Sequence, residues 1–274
     1  MKKTILTTFA MAITCLAFAQ NPDKTLARVT YSFTHIRDTS QRNNPYTENM
    51  LLVLGKNASV YTSLDRIGRD LNIAGFGGAP NAPFKPVTNN DLYFFFKENK
   101  FFTREKLFTN YMIEEPIQKQ TWKISKDTAS FSGIHCKKAT TTFKGRNWIA
   151  WYATDLPFES GPWKLNGLPG LIIEAYDDKK EVIFQLAKFD NLKNEEAIKT
   201  FAPSFYFGSE IKAVPDTKAT TRADFNKLME AYKKDPKGFS AAAIGVSVSN
   251  IRTGMPMNGI VHNVINNPIE LEGQ

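Results

Sequence analysis

The sequence predicts a mainly β protein: a large curved antiparallel sheet or half-barrel meander, with a Gly/Pro-rich closing loop and one C-terminal helix. Three observations carry that expectation. Apolar and polar residues alternate with a period of two over most of the chain, short polar turns separate the alternating stretches, and helical spacing stands out once, near residues 221–234.

Residues 1–19 are set aside as an expected secretory signal peptide. Lys2 and Lys3 form a basic start, Ile5 to Phe18 is mostly apolar, and Ala17-Phe18-Ala19 is a small-x-small cleavage pattern. The apolar run is shorter than the roughly 20 residues a spanning helix requires. Thr14 before Cys15 is bulkier than a lipoprotein site prefers, so the expectation is an exported protein of the periplasm or cell envelope, or a secreted one, with residues 20–274 as a single β-rich domain. Beyond Cys15 only Cys136 remains, so no internal disulfide is expected in the processed chain and packing must supply stability.

Val29, Tyr31 and Phe33 alternate with polar neighbours as a half-buried strand does. Met50 to Leu54 and Ala58 to Ser63 flank Gly55-Lys56-Asn57 as a hairpin, and Leu92 to Lys97 with Lys100 to Phe108 flank Glu98-Asn99 as a second. Between these hairpins, residues 65–90 carry several Gly and Pro and little alternation, which reads as a surface loop. Thr121 to Ser125, Ala129 to Ile134, His135 to Phe143 and Arg146 to Thr154 continue the meander, and Leu171 to Tyr176 pairs with Glu181 to Phe189 across Asp177-Asp178-Lys179-Lys180. That makes roughly ten strands, an ordinary count for a curved sheet or half-closed barrel. Near the C-terminus, Thr221 and Asp224 form a capping pattern, and Phe225, Leu228, Met229 and Tyr232 share one helical face before Asp235-Pro236.

The net charge of +8 is dispersed among acidic residues and forms no basic stripe, which argues against nucleic acid as a partner. Three scattered His and no paired-ligand spacing leave no metal site to build, and no phosphate-cradling or nucleophile-elbow motif is present, so no cofactor is expected. His135-Cys136 invites a thiol-catalyst reading, but neighbouring strand residues point to opposite faces and cannot share a proton. Asp155 and Glu159 could serve as an acid/base pair only if their loop folds them together.

The loop from Asp155 to Gly170 is the stretch with most to explain. Pro157, Gly161, Pro162, Gly167, Pro169 and Gly170 can fix one specific backbone path, and Phe158, Trp163, Leu165 and Leu168 are too apolar for a free surface loop. The expectation is an ordered loop crossing one end of the sheet, with Trp163 and Leu168 buried and Leu171 to Tyr176 running into the sheet's centre. Gly161, Pro162, Gly167 and Gly170 are its structural positions; Trp151, Asp155, Phe158, Trp163, Leu168 and Pro169 are the candidate binding residues.

Gly167-Leu168-Pro169-Gly170-Leu171-Ile172 resembles the hexapeptide that names the GLPGLI family of Bacteroidetes envelope proteins. Around it stand Trp122-Lys123-Ile124, Gly133 with Cys136 and Lys138-Ala139, Gly145-Arg146 with Ala150-Trp151-Tyr152, Asp155-Leu156-Pro157 and Gly161-Pro162, and the tail Asn266 to Leu271 is similar to a family ending. The resemblance implies an exported, β-rich protein without a catalytic set to carry over. The expected function is a non-catalytic envelope protein that binds an apolar small molecule, a peptide or an outer-membrane or periplasmic protein on its sheet. The alternative is a hydrolase using Cys136 or the Asp155/Glu159 pair.

Overall fold

The computed structural model describes residues 22–73, 86–192, 209–212, 217–245 and 265–272. In chain order these form β1 (Asp23–Lys24), β2 (Ala27–His35), β3 (Tyr46–Leu54), β4 (Ala58–Ser63), α1 (Leu64–Ile73), β5 (Asp91–Phe95), β6 (Lys100–Lys106) and β7 (Asn110–Pro116). Then come β8 (Lys123–Phe131), β9 (Ile134–Phe143), β10 (Arg146–Ala153), β11 (Leu171–Asp177), β12 (Val182–Asn191), β13 (Glu210–Ile211), β14 (Thr217–Thr220), α2 (Arg222–Lys234) and α3 (Pro236–Ile244). The expected signal peptide lies outside the described residues, and no described helix is long and apolar enough to cross a membrane.

Twelve strands form one mixed sheet in the order β14-β7-β6-β5-β4-β3-β2-β12-β11-β10-β9-β8, and it does not close into a barrel. Every neighbouring pair is antiparallel except β14 with β7. Two-residue turns join the hairpins where backbone chemistry permits: Ser132-Gly133 and Lys144-Gly145 both take positive φ at each position, the mirror-image turn whose twist suits paired strands. β1 and β13 form a separate two-stranded ribbon.

Alternation along the strands sorts the core into layers. On the inner face, Val29, Tyr31, Phe33, Met50, Leu52, Phe94, Phe101, Trp148, Ala150 and Phe184 pack with the loop residues Trp163, Leu165 and Leu168. On the other face, Leu51, Val53, Val60, Tyr93, Phe95 and Phe102 pack beneath Ile67 of α1 and Ile211 of β13. α2 covers the β6–β7 end through Phe225 and Tyr232 against Leu107 and Ile113, and Phe239 of α3 packs beside Tyr232.

Several elements differ from the sequence expectation, each for a local reason. The stretch expected as a loop from residue 65 opens as α1, capped by the Ser63 hydroxyl, which accepts from the Arg66 amide at 2.9 Å. Its remainder, residues 74–85, lies outside the described residues. Arg66 is buried with Arg104 against Asp91; burial alone would raise the Asp91 carboxyl, but the two guanidiniums hold it below the usual carboxylate range. The break expected at Lys126-Asp127-Thr128 is a register shift within β8, and β7 is a strand the alternation did not mark. Asp235-Pro236 ends α2 but also starts α3: the Asp235 side chain accepts from the Gly238 amide and Pro236 takes the first turn, so the C-terminal region holds two helices rather than one. β11 is interior, yet it lies three strands in from the β8 edge; β3 and β2 occupy the centre.

Candidate functional site

The loop between β10 and β11 is a miniature hairpin laid over the inner face. Leu165 N donates to Pro162 O, Gly167 N to Glu159 O, Leu171 N to Leu156 O and Ile172 N to Ser160 O, all at 2.9–3.1 Å, and Ser160 bridges Asn166. Trp163 is 8 % exposed and Leu168 1 %, so both are buried as the sequence predicts. The Trp163 ring lies 5.6 Å from that of Trp148 and 5.7 Å from that of Phe143. Its backbone has φ 55°, a region costly for a bulky residue and sustained by that packing. Trp122 and Gln120 tie the loop from outside, Trp122 Nε1 donating to Asn166 O at 2.8 Å and Asn166 N to Gln120 Oε1 at 2.9 Å.

Asp155, Glu159 and Pro169 are exposed and Phe158 is half-buried at the sheet's end, while Gly161, Pro162 and Gly170 are buried and Gly167, at φ 83°, is exposed. The structure therefore does not bring the candidate binding residues together. Trp151 stands opposite Lys138 and Glu174 in register, one residue out of phase with the inward Trp148 and Ala150, which puts it on the outer face of the sheet. There it packs at 5.6 Å on Phe131, with the Lys138 ammonium 5.9 Å over its ring, and Lys180 lies 5.7 Å over half-buried Tyr176 nearby.

Where the loop reaches β5–β7, a cleft of about 60 Å³ is lined by Phe94, Phe101 and Phe143 with Glu115, Lys144 and Lys164. Small-molecule pockets span roughly 300–1,000 Å³, so this cleft holds a side chain and not a ligand of that size. At its rim Lys164 Nζ donates to Glu270 at 2.6 Å and Lys144 Nζ lies 3.4 Å from the same carboxylate. Glu270 belongs to residues 265–272, which return to the sheet beside the β9–β10 turn.

That returning tail is gripped by a buried polar cluster. Arg146, 2 % exposed in its side chain, pairs with Asp177 at 2.7 Å and donates to Asn267 Oδ1 at 2.6 Å, Pro268 O at 2.7 Å and Ile269 O at 3.0 Å. Asn267 Nδ2 donates to Ile36 O at 2.7 Å and to Glu181 at 3.0 Å, and the His35 ring nitrogen bonds Asn267 O at 2.8 Å. Burial pushes the His35 imidazole down to about 4, so it is neutral and Nε2 carries the proton that the carbonyl accepts. In the sequence Gly145-Arg146 and the tail stand out only as points of family resemblance, because their pairing spans 121 residues and leaves no local signal.

Cys136 is fully buried on β9, and its Sγ donates to Ile134 O at 3.5 Å. Burial, with Glu174 adding, pushes its thiol up to about 11, while His135 points to the exposed side. Among the described residues the sulfur's hydrogen bond goes to the Ile134 carbonyl and not to a His, Asp or Glu side chain, and no group of three or more His, Cys, Asp and Glu among them could hold a metal ion.

The fold and this site define a mainly β protein whose inner sheet face is filled by its own Gly/Pro loop and locked by its own tail. The sequence profile of a Bacteroidetes-associated family, described as protein of unknown function (Porph_ging), matches residues 108–174, the stretch from the end of β6 through the loop into β11. No curated protein matches the chain. Solved structures of PNGF-II in P21 and C2 crystal forms are similar, each with a TM-score of 0.52 and 13 % identity over 74 % of this chain and 32 % of the PNGF-II chain. The alignment thus spans about a third of PNGF-II, and at that identity the likeness is one of fold alone.

Proposed function

We propose that the chain is an exported, non-catalytic protein of the cell envelope, of the GLPGLI type, that binds a peptide or another envelope protein. The observation that carries the reading is the filled inner face: Trp163, Leu165 and Leu168 occupy the space an apolar ligand would need, and the cleft beside them among the described residues measures about 60 Å³. Binding then falls to the surface. The outer face of β8–β11, with Phe131, Trp151 and Tyr176 half-buried and Lys138 and Lys180 over the rings, has the rigid aromatic anchors that protein interfaces favour.

The test is cell fractionation with a photo-crosslinking residue in place of Trp151. The expected result is protein in the envelope fraction, carrying one discrete cross-linked species that disappears when Phe131 is also replaced by Ala. A cytoplasmic protein, or one cross-linked no more from position 151 than from exposed Lys179, would end the reading.

A further inference from the structure

We propose that the groove between the end of β2 and the β9–β10 turn is a peptide-recognition site for extended chains bearing Asn-Pro-x-Glu, occupied in cis by residues 265–272 as a latch. A partner segment of the same chemistry takes the latch's place. The inference deepens the partner-binding function above and rests on it for the identity of the partner.

Contacts between tail and groove are those of a bound ligand more than those of a core element. Asn267 N donates to Arg37 O at 3.1 Å and Leu271 N to Lys144 O at 3.0 Å, while Asn267 O, Pro268 O and Ile269 O all accept from groove side chains. Main-chain bonding at both ends with selected side chains between is how extended peptides are read. Apolar burial contributes little: Ile265 is 48 % exposed and Leu271 45 %, and Ile269 alone packs partly on the core.

Specificity resides chiefly in three positions, and Asn266 before them adds exposed side-chain bonds, accepting from the Thr39 amide at 2.9 Å and donating to Asp38 at 2.8 Å. Asn267 is 5 % exposed and uses both ends of its amide, accepting from Arg146 and donating to Ile36 O and Glu181, a pattern no carboxylate or aliphatic side chain reproduces. Pro268 has no N–H to leave unpaired and presents its carbonyl to Arg146. Glu270 answers two ammonium groups whose side chains are only 20 % and 18 % exposed, Lys144 and Lys164. Gly145 lets the chain pass: a β-carbon there would lie 2.8 Å from Leu271 Cβ and 3.3 Å from Glu272 N.

Groove residues also keep their places by bonds that do not involve the tail. Asp177 and Glu181 hold Arg146, Asp177 accepts from the Glu181 and Val182 amides, and Arg42 holds Glu181. Such a site persists when the latch leaves. Because Lys164 belongs to the loop and lines the Phe94–Phe101–Phe143 cleft, exchange of the occupant would be felt at that cleft.

The probe is a labelled synthetic peptide copying residues 265–272, titrated by anisotropy into the full chain as wild type, Asn267→Ala and Glu270→Gln. A filled site lowers apparent affinity by the fraction of open molecules, so N267A should bind the peptide about tenfold tighter than wild type. A peptide with Gln for its first Glu should bind about threefold weaker, a difference that shrinks at high salt. Should N267A fail to fold, E270Q carries the same comparison, with an expected gain of about threefold. A folded N267A or E270Q that binds no tighter than wild type, or that fails to distinguish the two peptides, overturns the proposal. Peptide binding without a cross-linked envelope partner would remove the function and leave the site; cross-links from position 151 without peptide binding would do the reverse.

Discussion

Gly170 and Ala153 approach so closely that no side chain fits between them. Gly170 has φ 148°, and a β-carbon there would overlap the Ala153 carbonyl oxygen and lie 2.7 Å from its carbonyl carbon. The contact joins the last residue of β10 to the residue preceding β11. It brings the loop's two ends together, so the loop arches over the inner face and not away from it.

Gly170→Val should therefore destabilise the protein by about 3 kcal/mol or more, combining backbone strain with a clash against main chain that cannot rotate aside. Lys179→Ala, in the exposed turn after β11, should change stability by less than about 0.5 kcal/mol. Thermal melts of the two variants make the comparison. Equal melting temperatures would show that the loop ends separate freely.

Trp163→Ala should cost about 3–5 kcal/mol, because the ring's contacts with Trp148 and Phe143 are lost and the loop cannot collapse into the space. Trp163→Gly removes the same ring but relieves φ 55°, so it should cost no more than the Ala variant although Gly is more flexible. Urea denaturation resolves the order. Ala clearly more stable than Gly would mean the backbone at Trp163 carries no strain.

Much of this fold follows from local sequence pattern. Period-two alternation at Val29, Tyr31 and Phe33 follows directly from burying one strand face, and Trp163 and Leu168 among Gly and Pro implied a loop folded back on a core. What escaped depends on partners distant in sequence. β7 ends in Glu114, Glu115 and Pro116, a poor strand signature, yet Glu115 is bonded to Arg222 of α2 at 2.9 Å and to Thr103 of β6 at 2.8 Å. Gly68 disguised α1, whose buried Arg66 bonds Asp91 25 residues later. At the site, separate residue types in the loop were visible but their faces were not: one step of phase puts Trp151 opposite the residues it was grouped with.

Cys136 should resist alkylation in the folded protein. With burial pushing the thiol up to about 11, the thiolate fraction at pH 7.5 is very small, and the sulfur is fully buried besides. Iodoacetamide at pH 7.5 should label it at least about a hundredfold faster in denaturant than under native conditions. Comparable rates would show that β9 opens readily or that the thiol is activated.

Arg146→Met should destabilise the protein by about 3–5 kcal/mol, since it leaves Asp177 a buried carboxylate without its cation and three tail acceptors without their donor. Arg146→Lys should recover only part of that loss, because one ammonium cannot spread three nitrogens over Asp177, Asn267 and the two carbonyls. Chemical denaturation gives both values. Full recovery by Lys would show that charge alone, not the planar fork, holds the cluster.

His35 gives the protein a pH dependence whose direction follows from its surroundings. Burial lowers its folded pKa to about 4 from an unfolded 6.5, opposed by the bond to Asn267 O; the charges around it are Arg37 and Arg146, which lower it, and Glu181, which raises it. Above pH 6.5 the ring is neutral in both states and its contribution is fully present. Between 6.5 and 4 the unfolded chain takes up a proton that the folded protein refuses, so stability falls with pH, by about 2–3 kcal/mol across the window, and levels off below 4 as far as this group is concerned. His35→Gln keeps a donor for the Asn267 carbonyl but does not titrate. The wild type should lose more melting temperature than H35Q between pH 7.5 and pH 4.5, whatever the absolute stability of the variant; parallel losses would mean that His35 is already protonated in the folded state and that its Nε2 bond to the tail survives as a charged one.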